Sequence, residues 1–392
     1  MVEKFKFSRI PDINFGSGKL HVLPELLKSR QFNKCLILTG KKSFISTKYW
    51  EKLQKSLKKL KITCFQESII LEPSPIIIDQ IVSEYRNVDI DCIISIGGGS
   101  VLDAGKAISA MLMEEGSITE FLEGIGRKDH SGNKIPFIAI PTTAGTGSET
   151  TKNAVITNTG ENGFKKSLRH DNFVPDIAII DPELSIPCPP VITAACGMDA
   201  FTQLIESYVS NNASLITDGL ALTGLFQVIQ NLYVAYVDPG DIAARTGLSY
   251  ASMISGMTLA NAGLGTVHGF ASSIGGLFDI PHGIVCGTLM GEVVYSNVEF
   301  MLANDKHNPA LAKYAHIGKM FMKYEENESI EAYCRLLIDK INIMIERFEI
   351  PLLSQYGVSK KDIDKIVEAS GQKNNPVKLP DFELRRILES RL

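Results

Sequence analysis

DCIISIGGGSVLDAGKAISAM, residues 91–111, decides the reading of the fold. A run of Cys, Ile and Ser with no charge reads as a strand covered on both faces. It runs into Gly97, Gly98 and Gly99, and then into Ser100 and a segment of helical period. Glycines let the backbone come close to a phosphate, and a helix N-terminus offers free N–H groups with the positive end of its dipole. The stretch therefore reads as a pyrophosphate cradle. It departs from the G-x-G-x-x-G fingerprint, since Leu102 holds the last glycine position, and a structural tight turn explains these glycines nearly as well. Asp103, one turn into the helix, is placed either to accept from a ribose or nicotinamide group or simply to favour the helix start.

Outward from this stretch the pattern repeats. CLILTG (35–40), IPFIAIPTT (135–143) and DIAIIDP (176–182) read as further strands, with helical periods over 47–61, 76–87 and 100–113. Alternating strand and helix predicts βαβ units and a mostly parallel sheet. From residue 189 the strand signal fades. Segments 191–209, 214–235, 241–262 and several after 309 read as helices, and the proline-rich SIPCPP at 185–190 marks the change. The expectation is an α/β dinucleotide-binding domain over 1–186 and an all-α domain over 187–392, with the active site in the cleft between them.

Two more strand exits offer ligand-binding groups, because open α/β sheets bind at the carboxyl ends of their strands. PTTAGTGSETT at 141–151 presents Thr142, Thr143, Thr146 and Ser148, although an ordinary polar loop accounts for it equally well. LILTGKKSF places Gly40, Lys41 and Lys42 where dinucleotide folds carry an acid for the ribose 2′-hydroxyl. The missing acid and the two lysines favour NADP over NAD. Lysines on an exposed turn remain the plain alternative.

In the helical half, Asp199 and Gln203 stand one turn apart in GMDAFTQLIESYVS, so both point at one spot. His268 and His282, two of only seven histidines, flank a small glycine-rich stretch. A carboxylate with two imidazoles suits divalent iron or zinc. Taken singly, each is as readily a buried polar group satisfied by hydrogen bonds.

Composition narrows the class. The 392 residues are 44% hydrophobic, enough for two cores, and 40 basic against 44 acidic residues leave no field favouring nucleic acid or an anionic membrane. The basic run KLQKSLKKLKI at 52–62 reads as the solvated face of an amphipathic helix. Seven cysteines without a C-x-x-C pair read as mostly buried thiols in a reducing compartment. The opening MVEKFKFSRIPDINFGSG lacks an apolar signal core, so a cytoplasmic location is expected.

The chain resembles the iron-containing (group III) alcohol dehydrogenases, which share a fold with dehydroquinate synthase and glycerol dehydrogenase. The resemblance runs from about residue 8 to 390. It is carried by INFGSG at 13, GGGSVLDAGKA at 97, PTTAGTGSE at 141, GMDAFTQLIESYVS at 197, NAGLGTVHGFA at 261 and IPHG at 280. It implies hydride transfer between NAD(P) and a small alcohol or carbonyl, with the cofactor on Gly97 to Ser100, Asp103, Thr142, Thr143, Thr146, Ser148 and Lys165. The metal ligands it implies are Asp199, Gln203, His268 and His282, and a homodimer or larger assembly is expected with them.

Two positions depart from that pattern. Gln203 stands where the family has a histidine ligand, and an amide oxygen is a weaker donor to Fe²⁺ or Zn²⁺. Ser272 replaces a histidine often assigned to proton relay; a hydroxyl passes a proton but does not store one near neutral pH. These departures keep two rivals in view, a metal-independent reductase resembling maleylacetate reductases and a dinucleotide-binding protein without catalysis. A lyase resembling dehydroquinate synthase fits the motif set less well.

Overall fold

Cys92–Gly97 is buried along its whole length because it lies at the middle of a six-stranded parallel sheet. In the computed structural model, which describes residues 4–322 and 328–392, the strands in chain order are β1 (Asp12–Phe15), β2 (Lys34–Thr39), β3 (Thr63–Ser68), β4 (Cys92–Gly97), β5 (Phe137–Pro141), an antiparallel hairpin of β6 (Asn153–Asn158) and β7 (Phe164–Arg169), and β8 (Ile177–Ile180). The first residues of the N-terminal stretch and part of the helical half, 323–327, lie outside the described residues. The sheet order is β1-β8-β5-β4-β2-β3, with every pairing parallel.

Successive side chains of a strand face opposite sides, and two cores follow from that alternation. Ile37, Ile94, Ile96 and Ile138 face α1 (Leu23–Ser29) and α2 (Lys48–Lys59), where Leu27, Trp50, Leu53 and Leu57 pack on them. The lysines of the basic run lie on the outer side of α2. Leu36, Leu38, Ile93 and Ala139 face α3 (Pro75–Tyr85) and α4 (Gly99–Met111). Gly105 brings α4 onto β4 so closely that a Cβ there would meet Ser95 Oγ at 1.9 Å.

After Ile180 no described residue is in a strand, and nine α-helices follow among the described residues. They are α5 (Pro190–Val209), α6 (Leu215–Val237), α7 (Ile242–Ala262), α8 (Thr266–Leu277), α9 (His282–Asn304), α10 (Pro309–Lys319), α11 (Ile330–Arg347), α12 (Ile363–Ala369) and α13 (Asp381–Glu389). α5 is the hub of this bundle: from Thr193 to Val209 nearly all of its side chains are buried. α6 is long and apolar enough to cross a membrane by length and composition. Its inner face, with Leu225, Val228 and Leu232, is packed into the bundle core, whereas Phe226, Tyr233 and Val237 are exposed.

The two halves touch through the loop after β5. Gly147 has φ +61, and a Cβ on it would lie 2.4 Å from the Ser252 carbonyl and the Gly256 nitrogen of α7. Thr150 Oγ1 donates to the Met253 carbonyl at 3.0 Å. The threonine-rich loop is thus held against α7 by backbone contacts.

Candidate functional site

The chain order of the sheet reverses between β2 and β4: β3 lies to one side of β2, and β4, β5 and β8 follow on the other. Ligands of open α/β sheets bind in the crevice outside the carboxyl ends of the strands at such a switch point. Gly40, Lys41 and Lys42 follow β2, and Gly97 to Ser100 follow β4, so they flank this crevice. Both lysines are exposed.

Gly98 caps α4 in an extended conformation with no side-chain acceptor, which leaves the first N–H groups of the helix free for a ligand. The glycines are required by crowding: a Cβ on Gly97 would meet Val101 at 2.5 Å, and one on Gly99 would meet the Thr146 side chain at 2.8 Å. The phosphate cradle and the threonine loop are therefore in contact. Thr142 is buried beside them, its N–H donating to the Gly97 carbonyl at 2.9 Å, while Thr143 and Thr146 are partly open.

Asp103 and Ser148 are turned inward. Ser148 Oγ donates to Asp103 at 2.5 Å, and the other Asp103 oxygen accepts from the Val155 N–H at 3.1 Å. Buried Lys106 joins them, donating to Ser148 Oγ and carbonyl, Thr151 Oγ1 and the Asn153 carbonyl over 2.8–3.1 Å. Burial pushes its pKa down to about 8, against the pull of Asp103 and Glu149. This knot fixes α4, the threonine loop and the β6–β7 hairpin relative to one another.

Lys165, on β7, pairs with Glu72 at 3.2 Å, and Glu72 also accepts from Ser100 Oγ and Thr157 Oγ1 at 3.4 Å each. Burial would raise the Glu72 pKa, but Lys165 and His282 bring it below the usual range. Ser272 lies on α8 one turn after His268, and its hydroxyl donates to the Lys165 carbonyl at 3.1 Å.

Across the crevice the helical half gathers a second cluster. Asp199 on α5, His268 on α8 and His282 at the start of α9 converge: His268 Nε2 is 3.3 Å and His282 Nε2 3.7 Å from Asp199 Oδ1. That oxygen is buried and has no hydrogen-bond partner. Cys286, one turn along α9 from His282, places Sγ 3.7 Å from both Nε2 atoms. The ligand atoms of these four residues all lie within 4.8 Å of one another.

Gln203 adjoins the cluster but is turned. Its amide oxygen accepts from Ser255 Oγ at 2.8 Å, and its nitrogen donates to Asp199 Oδ2 at 3.3 Å. Ser255 Oγ also lies 3.3 Å from the Gly145 carbonyl, which ties Gln203 to the threonine loop.

Glu206 stands behind His268. It accepts from the Val267 N–H and lies 2.7 Å from His268 Nδ1, so the imidazole presents Nε2 to Asp199. Burial opposes a charge on His268, but Cys286, Asp199 and Glu206 hold its pKa well above the usual range. Burial has the opposite outcome at His282, pushed down to about 4 with Lys165 and His268 assisting against Asp199. Its lone pair is free at neutral pH. Burial would raise Asp199, yet the two histidines bring it below the usual carboxylate range. Cys286 is pushed up to about 12 by burial.

A buried carboxylate oxygen without a donor, facing two imidazole nitrogens, fits a divalent cation. Asp199, His268 and His282 are the residues that spacing and motifs single out; Cys286 and Glu206 emerge only in the structure. Both had a signal, since Cys286 is four residues past His282 and Glu206 seven past Asp199, each on the same helix face.

Residues 11–182 match the family described as iron-containing alcohol dehydrogenase, and residues 193–391 match the C-terminal part of the Fe-containing alcohol dehydrogenase family. Alcohol dehydrogenase 4 of Saccharomyces cerevisiae is 31% identical over 369 residues, covering 92% of this chain and 90% of the relative. The NAD-dependent methanol dehydrogenase of Bacillus methanolicus is 30% identical over 357 residues, 90% of each chain. The solved structure of a 1,3-propanediol oxidoreductase superposes with a TM-score of 0.88 at 28% identity over 100% of both chains.

Proposed function

The chain belongs to the iron-containing alcohol dehydrogenase family and is an oxidoreductase acting on CH–OH groups, and from that premise we propose an NADP(H)-preferring, metal-dependent interconversion of a small alcohol and its aldehyde. One observation carries the reading: the buried, donorless Asp199 Oδ1 faces His268 and His282 across the crevice from the glycine cradle.

Asp199, His268 and His282 hold a divalent ion, which when bound supplies Lewis acidity that polarises the carbonyl or lowers the alcohol pKa. The nicotinamide, when bound, supplies or accepts the hydride. The chain's own part is orientation. The free N–H groups of α4 hold the pyrophosphate, with Gly97 and Gly99 keeping the approach clear. Thr142, Thr143 and Thr146 line the same wall. Asp103 and Ser148 act through the knot with Lys106, which fixes the cradle's shape. Lys41 and Lys42 meet a ribose 2′-phosphate, and no carboxylate at the end of β2 repels it.

Glu206 fixes the His268 ring through Nδ1, which leaves Nε2 on the Asp199 side where it would serve as a ligand. Lys165, paired with Glu72, would meet the cofactor from the β6–β7 hairpin. Ser272 Oγ, exposed beside Lys165 and one turn from His268, would relay a proton by accepting one from the reacting hydroxyl on its oxygen while giving its own to water, releasing the bond it makes to the Lys165 carbonyl.

A homo-oligomer in the cytoplasm completes the proposal. The oligomer is supported by the exposed Phe226, Tyr233 and Val237 of α6, with an adjoining groove of about 830 Å³ lined by Phe15, Leu222, Phe226 and Tyr250. Sedimentation of the purified chain as a monomer would remove that part.

Elemental analysis of protein purified without added metal tests the centre. Iron or zinc near one per chain is expected. A metal-free protein that still turns over would favour the metal-independent reductase.

A further inference from the structure

Resting on the proposal that this cluster holds a divalent ion, we infer that Cys286 supplies its fourth protein ligand and that Gln203 supports the shell from outside.

Position comes first. His282 and Cys286 stand at i and i+4 on α9 and project from one face, as two ligands from a single helix do. The distances match: zinc bonds of about 2.0–2.1 Å to nitrogen and oxygen and about 2.3 Å to sulfur give tetrahedral edges of roughly 3.3–3.6 Å. The edges between Asp199 Oδ1 and His268 Nε2, 3.3 Å, and from Cys286 Sγ to each histidine, 3.7 Å, fall at or just beyond that range. The sulfur is buried, and the polar groups around it are these two imidazoles and the Asp199 carboxylate.

Gln203 is committed elsewhere. Its oxygen, the one atom able to bind a cation, accepts from Ser255, and its nitrogen steadies Asp199 Oδ2. The ligand lost from α5 is thus replaced from α9.

Charge and softness change with the replacement. Asp199 and a Cys286 thiolate together neutralise a divalent ion, whereas Asp199 with an amide leaves one positive charge. Thiolate also favours zinc over a shell of nitrogen and oxygen alone.

The test uses the full-length protein, stripped with chelator and reloaded with cobalt(II) or zinc(II). The cobalt form is expected to show a near-ultraviolet thiolate-to-cobalt charge-transfer band. X-ray absorption of the zinc form is expected to show one sulfur at about 2.3 Å, a readout independent of any variant. Cys286→Ser should lose both signals while binding metal, and Gln203→Leu should keep them. Metal bound with no sulfur signal, or with one unchanged in Cys286→Ser, overturns the inference and leaves the metal proposal standing. Failure of the folded protein to bind either ion overturns both.

Discussion

Glu206 Oε2 lies 2.7 Å from His268 Nδ1, and the imidazole turns Nε2 toward Asp199 because of it. Carboxylates in this position fix the tautomer of a metal-binding histidine and raise its basicity. Glu206→Gln keeps the size and removes the charge. Its metal affinity should fall about 10- to 100-fold, read by competition against a chromophoric chelator, with the circular dichroism unchanged.

Gln203 acts on the other side of the same carboxylate. Gln203→Leu leaves Asp199 Oδ2 without its donor, and metal affinity should drop by about tenfold or more. If the variant instead bound metal as tightly as the parent, the Gln203–Asp199 contact would be idle.

The proposed NADP(H) preference rests on Lys41 and Lys42. A charge-assisted bond to phosphate contributes about 1.5–3 kcal/mol, so Lys41→Glu with Lys42→Glu should lower the NADPH-to-NADH ratio of kcat/KM by roughly 10- to 100-fold. A strong NADH preference in the unaltered protein would refute the assignment.

Glu149 gives the fold a pH dependence. It is 2% exposed, and burial raises its pKa from 4.5 to about 7, against its own backbone N–H and Lys106. An acid raised on folding binds more protons folded than unfolded between these values, so stability falls as pH rises from 4.5 through 7. The penalty saturates near roughly 3 kcal/mol. Glu149→Gln should therefore raise Tm at pH 8 and change it little at pH 4.5, as differential scanning calorimetry would show.

Gly147 joins the two halves in a left-handed conformation. In Gly147→Ala the new methyl meets the Ser252 carbonyl and the Gly256 backbone of α7. A loss of about 2–4 kcal/mol follows from strain and overpacking together, measurable by urea unfolding.

The parallel sheet was readable because β2, β4, β5 and β8 are covered on both faces, so their sequences are nearly unbroken apolar runs dominated by Ile. β3, TCFQES, sits at the sheet edge with alternate residues exposed, and its polar composition hid it. The β6–β7 hairpin escaped for a related reason: NAVITN and FKKSLR carry polar and charged residues between their few buried ones. α8 and α9 start around glycines and prolines, so the sequence shows only a small, glycine-rich stretch between His268 and His282 and no helical period that marks either helix.

At the site, helical spacing exposed Asp199 and the motifs exposed the two histidines. What spacing does not show is rotamer. Gln203, expected among the metal ligands, has its oxygen on Ser255; Asp103, read as meeting a ribose or nicotinamide group or favouring the helix start, and Ser148, read as a cofactor donor, bond each other. Each choice is set by partners more than 40 residues away in sequence.

The most direct measurement is oxidation of NADPH with a panel of short aldehydes, before metal stripping, after it, and after re-addition of Fe²⁺ or Zn²⁺. The account predicts turnover that disappears with the metal and returns with it, at unchanged NADPH binding. Turnover indifferent to chelator and to added metal would contradict it.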